Sequence, residues 1–198
     1  MPVVALASAL FAVTPAIANP TATTALKSNP AARTVRIVNM AITEAEVLAA
    51  QKAWGNALVA ISMTYDQQGH AAAKTLAEKV IDTAYGYQMG TVLFKPTLTE
   101  GDQTFRLTRE GALAYFVGGN SAFPADRGFA LNGWRKVEIQ NVGIIIAGNV
   151  ATTMGNVLIT DKTGKVTTVD KTWQFIKDER GNLRILLHHS SLPYTSKK

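Results

Sequence analysis

From residue 134 to residue 190 the chain is almost unbroken β-forming sequence. Runs at 134–147, 149–160, 166–177 and 183–190 are separated only by short polar joints, among them Asp161-Lys162-Thr163-Gly164 and Asp178-Glu179-Arg180-Gly181-Asn182. Joints this short connect antiparallel neighbours, because parallel strands need a crossover of a dozen or more residues. Asp or Asn with Gly between β-branched runs is also the chemistry of hairpin turns. A meander of long antiparallel strands follows, with one apolar face that something else in the chain must cover.

The cover lies upstream. Thr43-Glu44-Ala45-Glu46 is a capping box, and Val47, Ala50, Trp54, Leu58, Ile61 and Tyr65 then recur at helical spacing. After Gln67-Gln68-Gly69 a second helix is expected over about 71–84, with Leu76, Val80 and Ile81 inward. Val92-Leu93-Phe94-Lys95-Pro96-Thr97 reads as a short strand ended by proline. Phe105-Arg106-Leu107-Thr108 reads as extended, and Thr108 caps a third helix to about Val117, stopped by Gly118-Gly119. The fold class is α+β, a cone-shaped half-barrel of three N-terminal helices packed on a curved, mainly antiparallel sheet.

The first forty residues stand apart from this pattern. Residues 3–13 form an apolar run too short to span a membrane, followed by Pro15-Ala16-Ile17-Ala18, an A-x-A cleavage pattern. No Lys or Arg precedes the run. The expectation is a signal peptide over 1–18, a Thr/Ala/Pro-rich linker over 19–40 and the folded domain over 41–198. Such a chain is exported to the periplasm and has no membrane contact after cleavage.

Composition narrows the chemistry. There is no cysteine, so disulfide frameworks, thiolate nucleophiles and cysteine metal sites are excluded, and there are only three histidines. The net charge of +6 is scattered without a basic run, which fits an anionic ligand and gives no nucleic-acid stripe. Glycine-rich phosphate loops, HExxH, GxSxG and EF-hand patterns are absent. The densest polar cluster is His188-His189-Ser190-Ser191 at the end of the last strand. Adjacent strand residues point to opposite faces, so His188 and His189 cannot share one ion. Period two places Leu186, His188 and Ser190 on one face and Leu187, His189 and Ser191 on the other. A polar strand end with locally satisfied hydroxyls remains an alternative, and His70 reads as a solvated helix start.

The order helix, helix, curved sheet resembles the nuclear-transport-factor-2-like superfamily. More narrowly, Val92-Leu93-Phe94-Lys95-Pro96-Thr97, Gly111-Ala112-Leu113-Ala114-Tyr115-Phe116-Val117-Gly118-Gly119 and His188-His189-Ser190-Ser191-Leu192-Pro193-Tyr194 resemble the metal-free branch of the iota-class carbonic anhydrases. The resemblance covers about 43–194. It implies that Thr97, Tyr115 and Ser190 hold and process bicarbonate, with His188 assisting in binding, and that neither metal nor cofactor is used.

Candidate walls of an apolar cone that would hold CO2 are Trp54, Leu58, Tyr65, Phe94, Phe116 and Trp173. Tyr115 near its ordinary pKa of about 10 is a weak base, so a nearby cation such as Arg106 or Arg109 is expected to lower it. Read from the residues alone, Thr97 is equally a turn hydroxyl, Tyr115 a core residue, and Trp54 and Trp173 packing groups. A non-catalytic ligand-binding or dimerisation module of the same fold is the alternative function. An isomerase-like proton shuttle ranks lower, since Asp170 is the only strand carboxylate in the right region. A homodimer is expected, because apolar residues at 144–146 and 157–159 would lie on the uncovered convex face.

Overall fold

The computed structural model describes residues 39–196; the expected signal segment and most of the linker lie outside them. Helix α1 (Glu44–Gln68) starts at the capping box: Glu46 N donates to Thr43 Oγ1 at 3.3 Å, and Thr43 N donates to Glu46 Oε2 at 2.8 Å. Its buried stripe is Val47, Gln51, Trp54, Leu58, Ile61 and Ser62, and the stripe stops there. Tyr65, expected as a pocket wall, is 38% exposed because the last turn of α1 runs past the core. Gly69, at φ +82°, is the whole joint to α2 (His70–Ala84). Alanines make the closest approach of α2, with Ala73, Ala77 and Ile81 buried, while Leu76 and Val80 are half-buried against the core. His70 is not merely solvated, since its Nε2 lies 2.8 Å from the carbonyl of Val117.

Strand β1 (Leu93–Lys95) is shorter than expected and leaves Thr97 in the turn after Pro96. Helix α3 (Arg109–Val117) is capped by Thr108, whose Oγ1 accepts from Gly111 N at 3.1 Å, and ends at Gly118. Four long strands follow: β2 (Trp134–Ala147), β3 (Val150–Asp161), β4 (Val166–Lys177) and β5 (Leu183–Ser191). The sheet order is β1-β5-β4-β3-β2, antiparallel throughout except for β1 alongside β5. The expected α+β arrangement of helices on a mainly antiparallel open sheet is therefore present.

Period two locates the inner face. Ala151, Thr153, Val157 and Ile159 of β3 are buried, as are Val169, Lys171, Trp173, Phe175 and Lys177 of β4. Val157 and Ile159, expected on the convex face, thus belong to the core, and Ile144 packs against it; Ile145 and Ile146 of the same expectation are exposed, as are Val142, Met154 and Val166. Register breaks mark bulges in β2 at Asn141/Gly143 and in β5 opposite Gln174/Phe175. The second break changes a strand-face expectation. Gln174 pairs with Leu187 and Phe175 with Ile185, so Leu186 is the extra residue. Ile185, not Leu186, shares the buried face with His188 and Ser190.

Candidate active site

Strands β1, β5 and β4 run side by side beneath α1, the end of α2 and α3, and His188 is where they meet. Its register partners are Phe94 on one side and Trp173 on the other. The imidazole is 2% exposed, 4.5 Å from the Phe94 ring, 5.5 Å from Trp54, 5.9 Å from Trp173 and stacked on Tyr85 at 5.9 Å. Both ring nitrogens are engaged. Nδ1 lies 2.8 Å from Tyr85 Oη, which also accepts from Trp54 Nε1 at 3.0 Å, and Nε2 lies 2.6 Å from Lys171 Nζ. Burial first, and then the repulsion that a proton on Lys171 or His189 would add, push the His188 pKa well below the usual histidine range. His189 points the other way and is exposed.

Two residues on from His188, Ser190 is 1% exposed and its Oγ has no hydrogen-bond partner in the protein. Its backbone carbonyl accepts from Lys95 Nζ at 2.9 Å, which ties the ends of β1 and β5 together. Thr97, two residues beyond Lys95, is half-buried at that same end of the strand pair. Tyr115 approaches from α3, edge-on to Phe94 at 5.8 Å and stacked on Phe129 at 5.4 Å. Its hydroxyl is buried without a well-formed hydrogen bond, although Thr97 and the Thr97–Leu98 backbone lie near enough to favour its ionised form. Thr97 and Tyr115 are therefore neighbours, and Ser190 shares the strand-pair end on which Thr97 sits.

The expected cation beside Tyr115 is not there. Arg109 is paired with Asp82 at 2.6 Å on the surface. Arg106 is buried but bound to the equally buried Asp126 at 2.8 Å. Burial first, with a contribution from the Asp126 charge, pushes the Tyr115 hydroxyl well above its ordinary value. Tyr115 is a neutral phenol at physiological pH, a donor or relay rather than a phenolate base. Of the expected walls, Trp54, Leu58, Phe94, Phe116 and Trp173 are buried. The void left among Trp54, Leu58, Ile61, Ala77, Val80, Ile81, Tyr85 and Phe116 is about 10 Å³, room for a single water.

Lys171 is the component that sequence reasoning passed over. Alternation along β4 (Val169, Lys171, Trp173, Phe175) signals it as inward, against the usual preference of lysine for water. Among the described residues no group of three or more His, Cys, Asp or Glu is placed to hold a metal ion.

Residues 45–192 match the family model of the metal-independent carbonic anhydrases. The chain belongs to that family. A metal-independent carbonic anhydrase of Nostoc sp. is 70% identical over 174 residues, covering 88% of this chain and 82% of that one. The crystal structure of a cyanobacterial iota-carbonic anhydrase complexed with bicarbonate is 72% identical and covers 82% of this chain and 99% of that chain. It superposes with a TM-score of 0.80. The iota-class resemblance of the three sequence segments is thus shown, and the family is one of enzymes.

Proposed function

We propose that this carbonic anhydrase interconverts CO2 and bicarbonate without a metal, at a site formed by the hydroxyls of Thr97, Tyr115 and Ser190. The observation that carries this is that two of the three buried hydroxyls without a partner among the described residues, the third being Ser62 Oγ on α1, belong to this set. Burying a hydroxyl without a partner costs about 1–3 kcal/mol, and the protein does so at both Tyr115 Oη and Ser190 Oγ. Three hydroxyls suit three oxygens, since each is both a donor and an acceptor and can follow the ligand as a C–O bond forms or breaks.

CO2 itself is apolar, and the ring of Phe94, edge-on to Tyr115, offers it an apolar contact beside the hydroxyls. Ser190 and Thr97 donate to the oxygens of bicarbonate, and Tyr115, kept neutral, orients the attacking water or its proton. With both nitrogens committed to Tyr85 and Lys171, His188 positions the β5 end rather than contacting bicarbonate. The reading is supported by the bicarbonate complex of the 72% identical structure. The apolar run and A-x-A pattern of residues 3–18 support export as its setting.

The test is stopped-flow CO2 hydration by the purified chain lacking residues 1–18. Turnover above the uncatalysed rate is expected, and Ser190→Ala and Tyr115→Phe each lower it by about 10²-fold or more with the thermal unfolding temperature retained. No hydration by the folded protein would leave it a binding or dimerisation module.

A further inference from the structure

Lys171 is a buried cation-forming group with no anion to pair with. It is 5% exposed, and none of the ion pairs among the described residues includes it. Its Nζ lies over the faces of Trp54 and Trp173, 4.8 Å and 5.2 Å from the ring centres, and 2.6 Å from His188 Nε2. The groups that face it are neutral or positive. Strand β1 contributes Lys95 and β5 contributes His188 with His189 beyond it, while Tyr85, just past α2, meets His188 at its other ring nitrogen. Asp170, next along β4, alternates to the other face, where it accepts from Asn156 at 2.9 Å.

Hydrogen-bond direction favours one charge state of its amine. Trp54 can only donate, so Tyr85 Oη accepts from it and has one proton of its own to place. If that proton goes to His188 Nδ1, a neutral imidazole has its hydrogen on Nε2 and donates it to the lone pair of an uncharged Lys171 amine. Trp54, Tyr85 and His188 then each donate once along the chain, and the amine nitrogen of Lys171 lies over the rings of Trp54 and Trp173. Adding a proton to Lys171 reverses the chain: the ammonium donates to Nε2, Nδ1–H donates to Tyr85, and the Tyr85 hydroxyl is left unpaired. Burial of the amine acts in the same direction.

Ser190 is the direct cross-strand partner of Lys171 on the buried face, so an anion held by the orphaned Ser190 hydroxyl enters the surroundings of this amine. We propose that Lys171 is the titrating counter-charge of the site: an uncharged amine when no anion is present, it takes up one proton when a planar monoanion binds among Thr97, Tyr115 and Ser190. The inference deepens the bicarbonate reading and rests on it for the identity of the natural anion. Hydration of CO2 forms one C–O bond, breaks one water O–H bond and leaves one bicarbonate and one proton. With the proton on Nζ and the anion among the hydroxyls, the site has no net charge before or after.

Nitrate is the probe, a planar three-oxygen monoanion that does not titrate in the range used. Its affinity is followed by tryptophan fluorescence between about pH 6 and pH 10, and proton uptake is counted in unbuffered solution. One-proton linkage predicts that Kd weakens by up to about tenfold per pH unit wherever free Lys171 is uncharged. It also predicts uptake approaching one proton per nitrate. Lys171→Met should bind more weakly and without that slope, and Lys171→Arg should bind without it as well. A slope that persists in Lys171→Met, a flat wild-type profile, no nitrate binding at any pH, or no proton uptake by wild type overturns the proposal. The uptake measurement decides even if neither variant folds. Hydration is assayed on the same wild-type preparation. A nitrate slope without hydration would sink the carbonic anhydrase reading alone, and hydration with a flat nitrate profile would sink the counter-charge alone.

Discussion

Ser190 and Ser191 are one place apart in the chain, yet Ser190 Oγ is buried without a partner facing the Lys171 side of β4, while Ser191 is half-buried opposite Asp170. Ser190→Ala should therefore abolish most turnover and leave stability unchanged or raised, since it removes a desolvated hydroxyl. Ser191→Ala should cost less than about tenfold; equal losses in steady-state hydration would place the working face on the other side of β5. Lys171 gives a pH test with a definite sign. Its folded pKa lies well below the ordinary 10.5, so over the interval between the two values the unfolded chain binds the extra proton and stability rises with pH. Lys171→Met should raise stability by about 1–4 kcal/mol at the acidic side of that interval, with the gain fading above pH 10.5; denaturant melts at a series of pH values check it. At this scale, alternation made His188 and Ser190 legible and would have exposed Lys171 had its charge not argued for water. The Arg106–Asp126 pair was not legible, because residues in two separate loops meet only after the chain has packed.

The elements themselves were readable because local chemistry and burial agree in them. Thr43 and Glu46 start α1, Thr108 starts α3, and Gly118 with φ +63° ends it. The two long joints are closed by aspartates: Asp161 Oδ1 accepts from the backbone N–H of Thr163 and Lys165, and Asp178 Oδ1 from those of Arg180 and Asn182. What could not be read was a change of phase inside a strand. A bulge adds one residue without altering the local pattern, so Leu186 kept its apparent place while Ile185 took the buried one. Gly155 shows how tightly such a feature is built. A Cβ there would sit 2.0 Å from the Gln140 carbonyl oxygen beside the β2 bulge. Gly155→Ala should destabilise the fold by about 1–3 kcal/mol, whereas Gly148→Ala, in the open hairpin joint at φ +61°, should cost about 1–2 kcal/mol through backbone conformation alone. Urea unfolding of the two variants separates clash from backbone strain.

For the molecule as a whole, hydration activity should survive exhaustive chelation and should not rise with zinc, manganese or calcium. The histidine at the centre has both nitrogens committed to protein partners, and no His/Cys/Asp/Glu cluster among the described residues could take an ion. Activity restored to a chelated sample by one metal, at stoichiometric content, is the contrary result. A homodimer remains the expected assembly, with Ile145 kept from the expected surface and joined by new residues: Val142, Ile145 and Met154 are 85%, 72% and 62% exposed on the outer side of β2 and β3. Sedimentation at micromolar concentration should return about twice the 21.2 kDa chain mass, and Ile145→Lys should shift it to the monomer. The parallel seam between β1 and β5 has a consequence for how such an enzyme is made. Leu93 must wait for Leu187, and synthesis proceeds from the N-terminus. A ribosome still holding the final strand therefore carries a chain with its helices formed and the proposed site unassembled. A single proteolytic cut in the joint at 178–182 should likewise silence the enzyme while leaving most of its hydrogen-bonded structure in place.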